Sequence, residues 1–209
     1  MIAIKDNIRS VTAFAPASCG NIAVGFDVLG FALATPGDEV TLTRRDDQQL
    51  SISHIDSATP LPEAVDKNTA TVAIQALLRD LELTLGFDVQ IKKGIASGSG
   101  MGSSAASAVA AVVACNGFLQ SPLSPQQLIQ YALQGEAIAS GSIHADNVAP
   151  SLLGGLVLTY SLDPIAWLQL PASNFYWTVV HPDLEIQTKA ARGILPPSIS
   201  LQQHSQQSA

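Results

Sequence analysis

The spacing of apolar residues changes period along the chain, and each change marks a new element. Val11 to Ala15, Glu39 to Arg44 and Leu50 to Ile55 carry the period-two alternation or β-branched content of strands, with Pro36-Gly37-Asp38 expected to form a turn before the second. From Asn68, a candidate N-cap, Val72, Ala73, Ala76, Leu77 and Leu81 recur at helical spacing. Gly86 then punctuates, and Phe87 to Lys92 returns to strand alternation.

That strand feeds directly into Gly98-Ser99-Gly100-Met101-Gly102-Ser103-Ser104-Ala105-Ala106, which opens onto an apolar helical stretch continuing to Cys115. Three glycines at alternate positions can turn their backbone N–H groups toward one point, and a helix beginning near Ser103 adds its positive end. The segment therefore fits a phosphate cradle built from main-chain donors, with a turn needed only for tight helix packing as the alternative. Further on, Ser124-Pro125-Gln126-Gln127 is a helix start with apolar partners Leu128, Ile129, Ala132 and Leu133, and Gly141 closes it. Gly154-Gly155 precedes a strand from Leu156 to Tyr160, Phe175 to Val180 suggests another, and Thr188 to Arg192 a short helix ended by Pro196-Pro197. Ser200 caps the start of a last helix. Interspersed strands and helices give an α+β class.

Composition narrows the partners. Hydrophobic residues make up 47% of the 209 and charged ones only 13%, which excludes disorder. Seventeen acids against ten bases give a net charge of −7, so no basic footprint for nucleic acid is present. Cys19 and Cys115 lack zinc-ligand spacing and are expected to be free thiols. The N-terminus lacks the pattern of a signal peptide, and no apolar run is long enough for a membrane span, so a soluble cytoplasmic protein is expected.

Between Lys93 and Asp146 the only formal charge is Glu136. A carboxylate in a largely apolar layer must be paired, protonated or bound to a cation. A magnesium ion bridging Glu136, the Ser104 hydroxyl and nucleotide phosphates would satisfy it; an exposed position on the outer face of the helix is the alternative. The glycine segment has no lysine after Gly102, so it is not a Walker A loop, and it lacks both the spacing and the downstream acid of a dinucleotide fingerprint.

A second constellation runs from Ala15-Pro16-Ala17-Ser18-Cys19-Gly20-Asn21 through Val24-Gly25-Phe26-Asp27-Val28-Leu29-Gly30. Together with the glycine loop, with Gly141-Ser142-Ile143-His144-Ala145-Asp146-Asn147 and with Thr188-Lys189-Ala190-Ala191-Arg192, it resembles the GHMP family of small-molecule kinases, most closely its homoserine kinases. The resemblance implies a ribosomal-protein-S5-like ATP-binding domain over residues 1–154 and an incomplete, ferredoxin-like C-terminal domain over 155–209. It implies ATP phosphates in the loop Gly98, Ser99, Gly100, Met101, Gly102, Ser103 and Ser104, Mg²⁺ on Ser104 and Glu136, and Asn68 and Lys93 on the adenine side. Asn21, Asp27, His144 and Asp146 would line a pocket for L-homoserine, with Thr188 near the reacting hydroxyl and Arg192 on the carboxylate; Asn21, Thr188 and Arg192 would be the catalytic set. Those side chains suit an amino acid, which offers an ammonium to carboxylates, a carboxylate to guanidinium and a hydroxyl to Asn, His or Thr.

Taken singly, each has a plainer reading. Asn21 and Asp27 could be turn residues beside Gly20 and Gly25, His144 and Asp146 a capping pair, Thr188 a cap and Arg192 a solvated cation. The chain departs from the family with Ala96 at the loop entrance and Met101 between glycines, and it has no counterpart of the family's second glycine-rich segment or second substrate arginine. The implied activity is ATP-dependent phosphorylation of L-homoserine to O-phospho-L-homoserine, in a protein for which a homodimer is allowed. A kinase for another small alcohol and a non-catalytic nucleotide-binding module stay open as alternatives.

Overall fold

The computed structural model describes residues 3–141, 143–171, 176–180, 188–196 and 198–207. Its strands are β1 (Ser10–Cys19), β2 (Leu29–Arg45), β3 (Leu50–Asp56), β4 (Gly86–Lys92), β5 (Leu156–Leu162) and β6 (Ile165–Leu170). Its helices are α1 (Thr69–Asp80), α2 (Ser103–Asn116), α3 (Pro125–Ser140), α4 (Ala145–Leu153), α5 (Thr188–Gly193) and α6 (Leu201–Gln207). The strands form one sheet in the order β3-β4-β2-β5-β6, with β1 also paired to β2; β3 and β4 are parallel and the remaining pairs antiparallel.

Alternation explains which face is covered. Val40 and Leu42 of β2 and Phe87, Val89 and Ile91 of β4 are buried, all at i, i+2 spacing. Helix α2 lies over β1 and β2 and between α1, α3 and α4. Its Ala and Val side chains are small enough for this position, and eight of them in the run from Ala105 to Ala114 are buried, together with Ser107 and Cys115. Its hydrophobic surface is correspondingly all-round rather than one-sided. Ile74 and Leu77 of α1 and Ile129 of α3 complete the layer, each side chain worth about 1.5–3 kcal/mol of burial.

Local signals hold at most boundaries. Asn68 caps α1 through Oδ1, which accepts the Ala70 N–H at 3.0 Å. Gln127 returns its Oε1 to the Ser124 N–H at 3.0 Å, with Pro125 opening α3, and Gly141 ends that helix at φ 78°.

Three expectations need correction. Pro36-Gly37-Asp38 does not reverse the chain; it lies inside β2, because β1 continues to pair on both sides of it. The register passes from Pro16↔Gly37 to Ser18↔Ala32, so residues 33–36 oppose Ala17 alone and the strand is locally distorted instead of turned. No strand occupies the described residues 176–180, and Phe175 lies outside the described residues; β5 pairs with β2 on one side and on the other with β6, which lacks clean alternation. Helix α4 was not expected, since its nine residues contain Pro150.

Candidate active site

All three glycines of the loop between β4 and α2 adopt left-handed backbone: Gly98 at φ 70°, Gly100 at φ 72° and Gly102 at φ 64°. An L side chain would pay a steric penalty at each, which accounts for glycine at alternate positions. Gly102 is also the N-cap of α2, where no side chain caps the helix, so the first-turn amides lack a capping side chain. The loop is tied to β1 by Ser18 N–H donating to the Met101 carbonyl at 3.1 Å. At its stem, the Ser103 hydroxyl donates to the Ile95 carbonyl at 3.1 Å.

Ser104, in the first turn of α2, hydrogen-bonds Glu136 of α3. Burial raises the Glu136 carboxyl to about 7, with Asp146 adding to the rise while Ser104 and Lys93 oppose it. Its Oε2 is shielded from solvent, so the residue is not on an outer helix face. A hydroxyl and a carboxylate beside the glycine loop are hard oxygen donors of the kind that suit Mg²⁺. Among the described residues no cluster of three His, Cys, Asp or Glu side chains could hold a metal by itself.

On the other side of the same cleft, Asn21, His144 and Asp146, from two distant segments, line the wall, and Asp27 joins them. The Asp27 N–H donates to Asn21 Oδ1 at 2.9 Å, and the Asn21 N–H donates to Asp146 Oδ2 at 3.1 Å. His144 Nδ1 lies 3.6 Å from Asp27 Oδ2. Asn21 and Asp27 hold left-handed backbone at φ 56° and 64°, so they are turn residues and members of the cluster at once. His144 occupies the N-cap of α4 without capping it, and Asp146 stands in the first turn. Burial, reinforced by Asp27, raises the Asp146 carboxyl above the usual range. Backbone closeness makes this possible: a Cβ on Gly20 would strike Asp146 Oδ2, and one on Gly30 the Asp146 carbonyl oxygen.

A cleft of about 560 Å³ joins the two sets, bordered by the glycine loop, Ser104, Glu136, Asn21, His144 and Asp146, and by Leu61, Pro62 and Lys67 at its far end. Asn68 and Lys93 also border it, yet their polar groups engage the protein itself. Asn68 Nδ2 donates to the Pro62 carbonyl at 2.9 Å while its Oδ1 caps α1. The Lys93 ammonium is paired with Asp38 and donates to the Ser103 carbonyl at 2.8 Å and Ser107 Oγ at 2.7 Å. Thr188 and Arg192 belong to α5, but their side chains lie outside what is described, as does Ser142.

Sequence reasoning missed Asp38 and Ser107. The signal was available in strand phase: Asp38 shares the inward face of Val40 and Leu42, Lys93 continues Phe87, Val89 and Ile91, and the Glu39↔Lys92 register places Asp38 across from Lys93.

The sequence and fold are shared with known proteins. The family of GHMP kinases N terminal domains matches residues 68–155. Homoserine kinase from Chloroherpeton thalassium is 45% identical over 206 residues, covering 93% of this chain and 65% of the relative. Homoserine kinase from Xylella fastidiosa is 48% identical over 184 residues, covering 88% and 56%. The crystal structure of homoserine kinase from Cytophaga hutchinsonii superposes with a TM-score of 0.87 at 40% identity, covering 100% of this chain and 67% of that one. The chain belongs to the GHMP kinases. It spans less than two thirds of the length of the two curated relatives, and all three relatives carry the name homoserine kinase.

Proposed function

We propose that this protein transfers the γ-phosphoryl group of ATP to the side-chain hydroxyl of L-homoserine, giving ADP and O-phospho-L-homoserine. One observation carries the reading: a lysine-free nest of left-handed glycines and the cluster of Asn21, His144 and Asp146 border one cleft, with Asp27 held against that cluster and Ser104 and Glu136 also lining the cleft. The first is suited to a polyphosphate and the second to the ammonium and hydroxyl of an amino acid.

In this reading the loop amides and the N-terminal end of α2 hold the phosphates in line with the hydroxyl. Phosphoryl transfer requires mainly alignment and charge neutralisation. Mg²⁺ held by Ser104 and Glu136 would neutralise phosphate charge. Asp27 and Asp146 take the ammonium, Asn21 and His144 orient the substrate, Thr188 stands near the reacting oxygen and Arg192 on the carboxylate. The hydroxyl oxygen bonds to the γ-phosphorus as the bond to the bridging oxygen breaks, and the hydroxyl proton passes to a phosphate oxygen, with no dedicated base. Residues 1–154 form the ATP-binding part and residues 155–209 open a second lobe, in a cytoplasmic enzyme of amino-acid synthesis.

The test is a coupled ADP-release assay with L-homoserine and a panel of other small alcohols. Homoserine-dependent ADP release is expected; release with another alcohol alone would reassign the substrate, and nucleotide binding without release would make the chain a binding module.

A further inference from the structure

We propose that Asp38 and Lys93 form a positioning pair that sets the geometry of the glycine loop. The proposal rests on the reading of that loop as a nucleotide-phosphate cradle. A segment with three left-handed glycines has little conformational preference of its own, so something outside it must fix where its amides point. Asp38, fully buried, does this at the near end, where Oδ1 accepts the Gly94 N–H at 3.1 Å and the Ile95 N–H at 3.2 Å. Lys93 does it at the far end, where its ammonium holds the Ser103 carbonyl and Ser107 Oγ. Ser107 in turn donates to Asp38 Oδ2 at 2.8 Å, which closes the network across β2, β4 and α2.

Two consequences follow from the chemistry. The residues on either side of the loop, Ile95 and Ser103, are held together by the network and by the Ser103 hydroxyl on the Ile95 carbonyl, so the loop is stapled at its stem. The Ser103 carbonyl shares its peptide unit with the Ser104 N–H, so an ammonium on that oxygen polarises a first-turn donor toward an anion. A buried lysine and aspartate are costly to desolvate and are often no better for stability than apolar residues, which leaves room for a positioning role.

Removing one partner alone would strand a buried charge, so the informative variant is Asp38→Asn with Lys93→Met. The asparagine Oδ1 can still accept the Gly94 and Ile95 N–H groups, and methionine refills the stem of the lysine. Thermal unfolding, titration with the Mg²⁺ complex of a non-hydrolysable ATP analogue, and steady-state kinetics are measured together. The expected result is a cooperatively folding double variant with analogue affinity about tenfold or more weaker and KM for ATP raised, while KM for homoserine is unchanged. A folded double variant with wild-type analogue affinity would overturn the positioning role. If that variant does not fold, Ser107→Ala decides, because it removes the hydroxyl that accepts from Lys93 and donates to Asp38: a several-fold loss of analogue affinity is expected, and unchanged affinity overturns the proposal. Wild-type protein that fails to bind the analogue overturns the cradle reading itself, and the positioning role with it.

Discussion

The Ser104 hydroxyl hydrogen-bonds the Glu136 carboxylate, joining the first turn of α2 to the last turns of α3 at the cleft. Glu136 has its carboxyl raised from 4.5 to about 7, chiefly by burial. Between those two values the folded protein binds the proton more tightly than the unfolded chain, so stability falls as pH climbs through the window. Replacing Glu136 with Gln should flatten that slope and leave the ligand-free protein more stable at pH 8 than wild type, by at most about 3 kcal/mol. Denaturant unfolding at pH 5 and pH 8 measures it. The same variant should lose on the order of 10²-fold in homoserine-dependent turnover. A gain in stability paired with lost turnover marks a functional acid; a variant destabilised at both pH values would mark a structural one.

Asp27 is placed by its own N–H on Asn21 and by the nearby His144. In the proposed reading it is an ammonium ligand, acting in binding and not in proton transfer. Asp27→Asn should therefore raise KM for homoserine by roughly 10- to 100-fold, the worth of one charge-assisted hydrogen bond, with kcat at saturating homoserine close to wild type. Loss of kcat with KM intact would make Asp27 a base.

Gly20 offers a separate handle on that cluster. A Cβ there would meet Asp146 Oδ2 and stand 2.8 Å from Asn147 Nδ2. Gly20→Ala must displace the Asp146 carboxylate or shift α4 away from β1, so homoserine affinity should drop at least tenfold while affinity for an ATP analogue changes little. Calorimetric titration with each ligand checks this, and equal losses for both would show that the two halves of the cleft are not separable.

Much of this was legible because local chemistry governs it. The glycine loop, the Asn68 and Ser124 helix starts and the Gly141 stop depend on residues a few positions apart, and the structure forms each of them. The pairing of Ser104 with Glu136 was legible for another reason: a lone charge in an apolar stretch needs a compensating group nearby. Asp38 was obscured by its neighbours, since Pro36 and Gly37 look like a turn until β1 supplies a partner on both sides. Helix α4 was obscured by Pro150, whose missing N–H a short packed helix tolerates when Val148 and Ala149 are buried against the core. Both depend on contacts between segments more than twenty residues apart, which no local pattern encodes.

The two inner glycines of the loop should respond differently to the same added methyl. Both hold φ near +70°, so alanine costs about 1–2 kcal/mol in backbone strain at either position. At Gly100 the new Cβ meets nothing within 4 Å, and the cost ends there. At Gly102 it would collide with Ser18 Oγ and approach Asn147 Oδ1 at 2.9 Å, and those two side chains already share a 3.0 Å hydrogen bond linking β1 to α4. Gly102→Ala must therefore either break that bond or shift the first turn of α2, moving the amides that face the cleft. Unfolding should show Gly100→Ala lowering Tm by a few degrees with nucleotide affinity reduced only a few-fold, and Gly102→Ala lowering Tm further with affinity reduced well beyond tenfold. Equal effects at the two positions would mean that loop strain alone, and not the packing of Gly102 against Ser18 and Asn147, sets the cradle.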